Sequence, residues 1–168
     1  MKKAAVIVGL LMVGLVVNPG LSSQDKDRAE LAKAVTGAKV SLEQGLSTSA
    51  RAGKPISAKF EIEDGKLQLS VYTAKGDAFS EAVVDHNTGK VAKTEAITSG
   101  EDLSAAKTQN EAMAKAKQSL HATLAKVLKG NPGFRAVGIF PVLKDAHPVA
   151  EITLTKGNEW KTVSEKLD

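Results

Sequence analysis

Lys-Gly-Asp-Ala-Phe at 75–79 returns as Lys-Gly-Asn-Glu-Trp at 156–160, an offset of 81 residues. A chain that repeats its turns at a fixed interval is constrained to repeat the elements between them. The helical stretches repeat as well. Leu31-Ala32-Lys33-Ala34 matches Met113-Ala114-Lys115-Ala116 at an offset of 82, and Leu42 and Leu46 match Leu124 and Leu128 at the same offset. A one-residue gap between helix and turn reconciles the two offsets. Two tandem copies follow, covering 28–97 and 104–168, with the polar run 98–103 as linker.

Each copy reads as one helix followed by three strands. Leu31, Val35, Ala38, Leu42 and Leu46 recur at steps of three or four, the spacing of one helical face. Residues 23–30 are polar and read as a frayed lead-in, and Gly37 and Gly45 weaken the helix. From Ile56 the period becomes two, with Ile56, Ala58, Phe60 and Ile62 alternating with polar residues. Asp64-Gly65 is a hairpin signal, because a type I′ turn needs positive φ at both central residues. Leu67 to Val71 and Phe79 to Val84 supply the next strands, and Val91 opens a short additional one. In the second copy Met113, Ala116, Leu120, Leu124, Val127 and Leu128 form the helical face. Gly130 to Gly133 stops it, and three strands follow. Pro141 and Pro148 remove ladder donors, which suggests an edge or a bulge for the first of these. The fold class is therefore α+β: two tandem α-β-β-β units, each a helix packed on a small antiparallel sheet.

The N-terminus carries an export address. Lys2 and Lys3 precede an apolar run of 14 residues, Ala4 to Val17, and Gly20-Leu21-Ser22 offers small residues at −3 and −1 of a cleavage site. A spanning helix needs roughly 20 apolar residues, so 1–22 reads as a signal peptide. The mature chain is then exported, periplasmic or secreted, with no stable membrane insertion after cleavage. No cysteine follows the run, so anchoring through a lipidated first cysteine is excluded, and no disulfide staples the fold. The full chain has 23 basic and 19 acidic residues; without Lys2 and Lys3 the balance is 21 to 19. No basic cluster with interleaved aromatics appears, so nucleic acid is set aside as a partner.

Val83-Val84-Asp85-His86-Asn87-Thr88-Gly89-Lys90-Val91 resembles the closing signature of PepSY domains, a strand ending in Val-Asp followed by Thr-Gly and a short apolar strand. The helix, the strand from Ile56 and the Lys75-Gly76 hairpin are similar to that family too, over residues 28–97. The second half ends at Asp168 with no such turn and resembles a divergent copy. The resemblance implies an exported domain that inhibits or regulates a peptidase. In their own chemistry Asp85, Thr88 and Gly89 build a turn: the carboxylate accepts backbone amides and the glycine supplies positive φ.

Catalytic chemistry is not visible. His86, His121 and His147 are widely spaced, with no paired metal-ligand spacing, and His-Glu-x-x-His is missing. No serine or cysteine sits in a nucleophile elbow. Glu61 and Glu63 share a strand face and read as its solvated side. Catalytic, cofactor and metal residues are therefore expected to be none, and the chain is expected not to be an enzyme. Trp160, opposite Phe79 in the repeat, and Tyr72, on the polar face of its strand, are the candidate partner-binding residues, because large aromatics anchor interfaces. The function expected is binding of a protein partner, a peptidase or another envelope protein. A carrier of a small apolar ligand in a helix-on-sheet cavity is the alternative.

Overall fold

The computed structural model describes residues 21–168; the expected signal peptide lies, but for its last two residues, outside that range. The first half runs α1 (Leu21–Gly37), α2 (Leu42–Ser49), β1 (Lys54–Glu63), β2 (Lys66–Lys75), β3 (Ala78–Val84) and β4 (Val91–Ile97). The second runs α3 (Gly100–Lys115), α4 (Leu120–Lys129), β5 (Arg135–Lys144), β6 (His147–Lys156) and β7 (Glu159–Lys166). Residues 23–30 belong to α1 and are not a frayed lead-in. Likewise 100–103, read as linker, form the first turn of α3, where Glu101 and Asp102 place negative charge at the positive end of the helix dipole.

Each expected single helix is two. A serine restarts the helix in both halves: Ser41 Oγ accepts from Gln44 N at 3.3 Å while Gln44 Oε1 accepts from Ser41 N at 2.8 Å. Ser119 Oγ accepts from Ala122 N at 3.2 Å. Both caps are extended, with ψ of 165° and 153°, which ends the preceding helix and leaves backbone amides to be satisfied elsewhere. In the first half Lys39 N and Val40 N both donate to His86 O at 3.0 Å. In the second, Lys117 N and Gln118 N donate to Leu167 O at 2.7 and 3.0 Å. One carbonyl therefore closes each break. The apolar face survives it, since Val35, Ala38, Leu42 and Leu46 are all buried, as are Met113, Leu120 and Leu124.

These serines set a different spacing from the one expected for the helices. Ser41 and Ser119 are 78 residues apart, so Leu42 stands with Leu120 and Leu46 with Leu124, one helical turn from the pairing at 82. The strands keep the offset of 81, Lys54 to Arg135 and Lys66 to His147. Of the three-residue difference, two residues lie in α4, which is that much longer than α2, and one in the connection from α4 to β5.

The strands form one antiparallel seven-stranded sheet, in the order β4-β3-β2-β1-β5-β6-β7, where two small sheets were expected. The halves meet where Ala58 faces Ile139 and Lys59 faces Gly138. Joining β1 to β5 removes two strand edges that would otherwise present unpaired amides and carbonyls. β5 is thus interior, not an edge. Pro141 lies beyond its short contact with β1, and the irregularity in β5 falls between Ala136 and Gly138.

Alternation gives the sheet two faces. Ala58, Phe60, Leu69, Val71, Ile139 and Ile152 lie on the first, which is apolar and buried. Helix α2 packs on β1 and β2 here, and a Cβ at Gly45 would meet the Leu69 side chain at 2.9 Å, so that glycine sets how closely helix and sheet approach. α4 packs on β5, β6 and β7, and α2 touches α4. Asp64 and Gly65 have φ of 49° and 73°, as a type I′ turn requires. The equivalent turn of the second half uses Asp145 and Ala146, at 50° and 65°.

Candidate functional site

The second face of the first half is polar, and its side chains hold one another. Lys59 and Glu61 alternate with Ala58 and Phe60 on β1, while Gln68, Ser70 and Tyr72 stand across from them on β2. Register places Glu81 of β3 opposite Tyr72, and Glu95 of β4 opposite Glu81. Four strands therefore contribute to one row.

Lys59 Nζ pairs with Glu61 Oε2 at 2.5 Å, with side chains only 12% and 20% exposed. Ser70 Oγ donates to Glu61 Oε1 at 3.1 Å and accepts from Gln68 Nε2 at 2.9 Å. Gln68 Nε2 also reaches Glu81 Oε1 at 3.4 Å. At the outer end Lys93 pairs with Glu95 at 2.8 Å, both more than half exposed. Helix α3 touches this face as well: the Ser57 hydroxyl, on the side of β1 away from Ala58, donates to Gln109 Oε1 at 2.6 Å. Glu61 is therefore not part of a freely solvated face.

Two groups in the row are perturbed. Burial pushes the Tyr72 hydroxyl far above the ordinary phenol range, and the nearby carboxylates of Glu81, Glu61 and Asp102 push it the same way. Burial also raises the Glu81 carboxyl, with Glu61 and Glu95 adding to the rise while Ser70 and Lys59 oppose it. A carboxyl whose folded value lies above its unfolded one stabilises the fold most below the unfolded value, and that contribution is lost as pH rises through the folded value. Glu81→Gln should therefore be more stable than wild type at pH 7. Its advantage should shrink as the pH of urea unfolding falls towards 4; an advantage that stays constant with pH would contradict this assignment.

Tyr72, expected to face a partner, is 1% exposed. It stands on the predicted polar face, but is packed there, with Lys59 Nζ 5.9 Å from its ring centroid. A side chain with no free surface cannot anchor a partner by its ring. Its hydroxyl lies close enough to Ser70 to feel it, yet completes no hydrogen bond. Trp160 is half-buried against the core, with the Arg28 guanidinium 5.5 Å from its ring centroid. Phe79, its counterpart 81 residues earlier, is 7% exposed.

The Asp85 turn is closed by its own polar groups. Asp85 Oδ1 accepts from Asn87 N at 2.8 Å and Thr88 N at 2.9 Å, Gly89 has φ of 74°, and Asp85 N donates to Lys90 O at 2.9 Å. The Thr88 and Asn87 amides hold the Asp85 carboxyl below its usual range. This turn fixes the His86 carbonyl that closes the α1–α2 break. His147 Nδ1 lies 2.7 Å from Asp168 Oδ2 on the surface, and His121 is exposed on α4. Among the described residues no group of three or more histidines and carboxylates is placed to hold a metal ion.

The sequence pattern missed the row because its members come from four strands. Only register brings Glu61, Glu81 and Glu95 together. The signal available was the alternation on each strand, which assigns a face without saying what stands beside it.

No family model matches the chain, and no curated protein does. Among solved structures, a candidate lipoprotein from Clostridium difficile 630 is similar, with 16% identity over 71% of this chain and 79% of that one and a TM-score of 0.39. No helix among the described residues is long and apolar enough to cross a membrane.

Proposed function

We propose that this chain is an exported, non-enzymatic binding protein of the PepSY type, which binds and regulates or inhibits a peptidase or another envelope protein. The reading carries a duplicated domain: two copies of a helix-helix-three-strand unit, the first completed by the Asp85-Thr88-Gly89 turn and β4. The signal-peptide pattern of 1–22 supports export, and the resemblance of 28–97 to PepSY domains supports the class of partner.

One observation carries binding over catalysis. The best-developed polar cluster sets carboxylates, an amide and a hydroxyl into mutual hydrogen bonds on a sheet face, and its one serine, Ser70, has no exposed surface and is held between Glu61 and Gln68, closed to a substrate. Such a row presents charge to something that docks on it.

Affinity capture with the full chain against the exported fraction of its source cells is expected to recover one dominant protein, identified by mass spectrometry. Adding purified chain should change that fraction's peptidase activity where the partner is a peptidase. Recovery of no specific protein, together with unchanged peptidase activity, would refute the reading.

The carrier alternative has one observation in its favour. A cleft of about 460 Å³ lined by Leu46, Pro55, Met113, Ala116 and Leu120 opens beside the α3–α4 break, within the usual range of roughly 300–1,000 Å³ for small-molecule sites. Native mass spectrometry separates the two readings, since a carrier arrives with ligand mass attached.

A further inference from the structure

We propose that the row at Glu81 is a docking site for a basic side chain, a guanidinium presented by the protein partner, entering from the β4 side of the sheet. The inference rests on the binding-protein reading and adds the chemistry that the partner must present.

Charge within the row does not balance. Lys59 is taken by Glu61 and Lys93 by Glu95, each in a close pair. Glu81 stands directly across from Glu95 and makes no ion pair among the described residues. Like charges directly opposite on neighbouring strands destabilise a sheet. Glu61 adds a third carboxylate through the Ser70 and Gln68 bridge. Sequences that break a local rule in this way do so most often at functional sites.

Tyr72 points to a ligand independently. Its hydroxyl is buried, lies against Glu81 and Glu61, and completes no hydrogen bond. A buried polar atom without a partner is rare and calls for a missing one. What the row leaves open is acceptor capacity: the Glu81 and Glu95 oxygens and a lone pair on Tyr72. The complementary group is therefore a cation rich in donors. A guanidinium has five N–H donors in a planar fork and pairs two-pronged with a carboxylate, which a compact ammonium does not. Its weaker hydration suits a half-buried site. Exposure rises along the row from 20% at the Glu61 side chain to 55% at Glu95, so the approach is open on the β4 side.

The test uses the full chain, isotope-labelled for NMR, and an acetylated, amidated tetra-arginine peptide as probe. Saturable shifts are expected at Tyr72, Glu81 and Glu95, with none from the same peptide made with neutral citrulline. Glu81 should titrate at lower pH when the probe is bound. Glu81→Gln and Glu95→Gln should each weaken binding at least tenfold, while Glu159→Gln, on exposed β7, leaves it within twofold. Equal affinity of Glu81→Gln and Glu159→Gln, or shifts spread evenly over surface carboxylates, would overturn the proposal. Magnesium chloride giving the same saturable shifts would overturn it in favour of a metal ion. The two readings fail separately. A captured partner that binds Glu81→Gln undiminished removes this inference alone, and a working arginine site with no captured partner removes the wider function.

Discussion

A chain ending at Lys166 is expected to melt about 10 °C below the full chain. Leu167 has no exposed surface, although it follows the last strand and stands next to the end of the chain. Its carbonyl accepts both free amides of the α3–α4 break, and its own N–H donates to Pro148 O at 2.9 Å. Truncating a buried leucine costs about 2–5 kcal/mol, and two amides left without an acceptor add to that. Leu167→Ala separates the contributions: it keeps the carbonyl and should lose about 3 kcal/mol, less than the truncation does. The His147–Asp168 contact is exposed and contributes little beside these. A truncated chain melting within 2 °C or so of the full one would show that the break is closed by something else. The first half is less vulnerable, because its closing carbonyl, that of His86, sits inside a turn fixed on both sides by β3 and β4.

Tyr72→Phe should raise stability by about 1 kcal/mol in urea unfolding, against the usual sign for a change in a packed interior. The ring stays in place and only the hydroxyl goes. That hydroxyl has lost its water and completes no hydrogen bond in exchange, a state that costs about 1–3 kcal/mol. Unchanged or lower stability would mean that the hydroxyl has a partner within the fold. The same variant should bind the tetra-arginine probe more weakly. Stability gained and binding lost by one atom is the expected pattern where a fold holds a group for a partner.

Much of the fold is legible in local pattern. Asp64-Gly65 and the Lys-Gly turns at 75–76 and 156–157 sit where their dihedral requirements place them. The alternation from Ile56 to Ile62 gives β1 its faces, and Asp85, Thr88 and Gly89 specify their turn with groups no more than five residues apart. Asp145-Ala146 shows the limit, since alanine gives no hint that it will take positive φ. The helix breaks show another. A periodic apolar face runs straight through Ala38 and Ala116, because three- and four-residue steps also fit two helices with a short break. Ser41 and Ser119 were the available signals, and serine is too common to force a cap by itself.

The candidate site was less visible. Alternation gives Tyr72 its face but not its burial, because it states direction and burial depends on what packs alongside. Glu61 is covered for the same reason, with its side chain only 20% exposed on a strand face that alternation marks as polar. The carboxylates of the row lie 20 and 14 residues apart in sequence, and no local rule pairs them.

By itself the sequence determined the element types, the hairpin turns and the two-sided strands, because each depends on residues close together in the chain. Tertiary structure decided that the halves share one sheet, that single carbonyls from distant turns close the helix breaks, and that Glu81 stands between Glu61 and Glu95 beside an unpaired hydroxyl. Those outcomes depend on strand register and on satisfying buried backbone groups across long sequence separations. Only the folded chain sets either one.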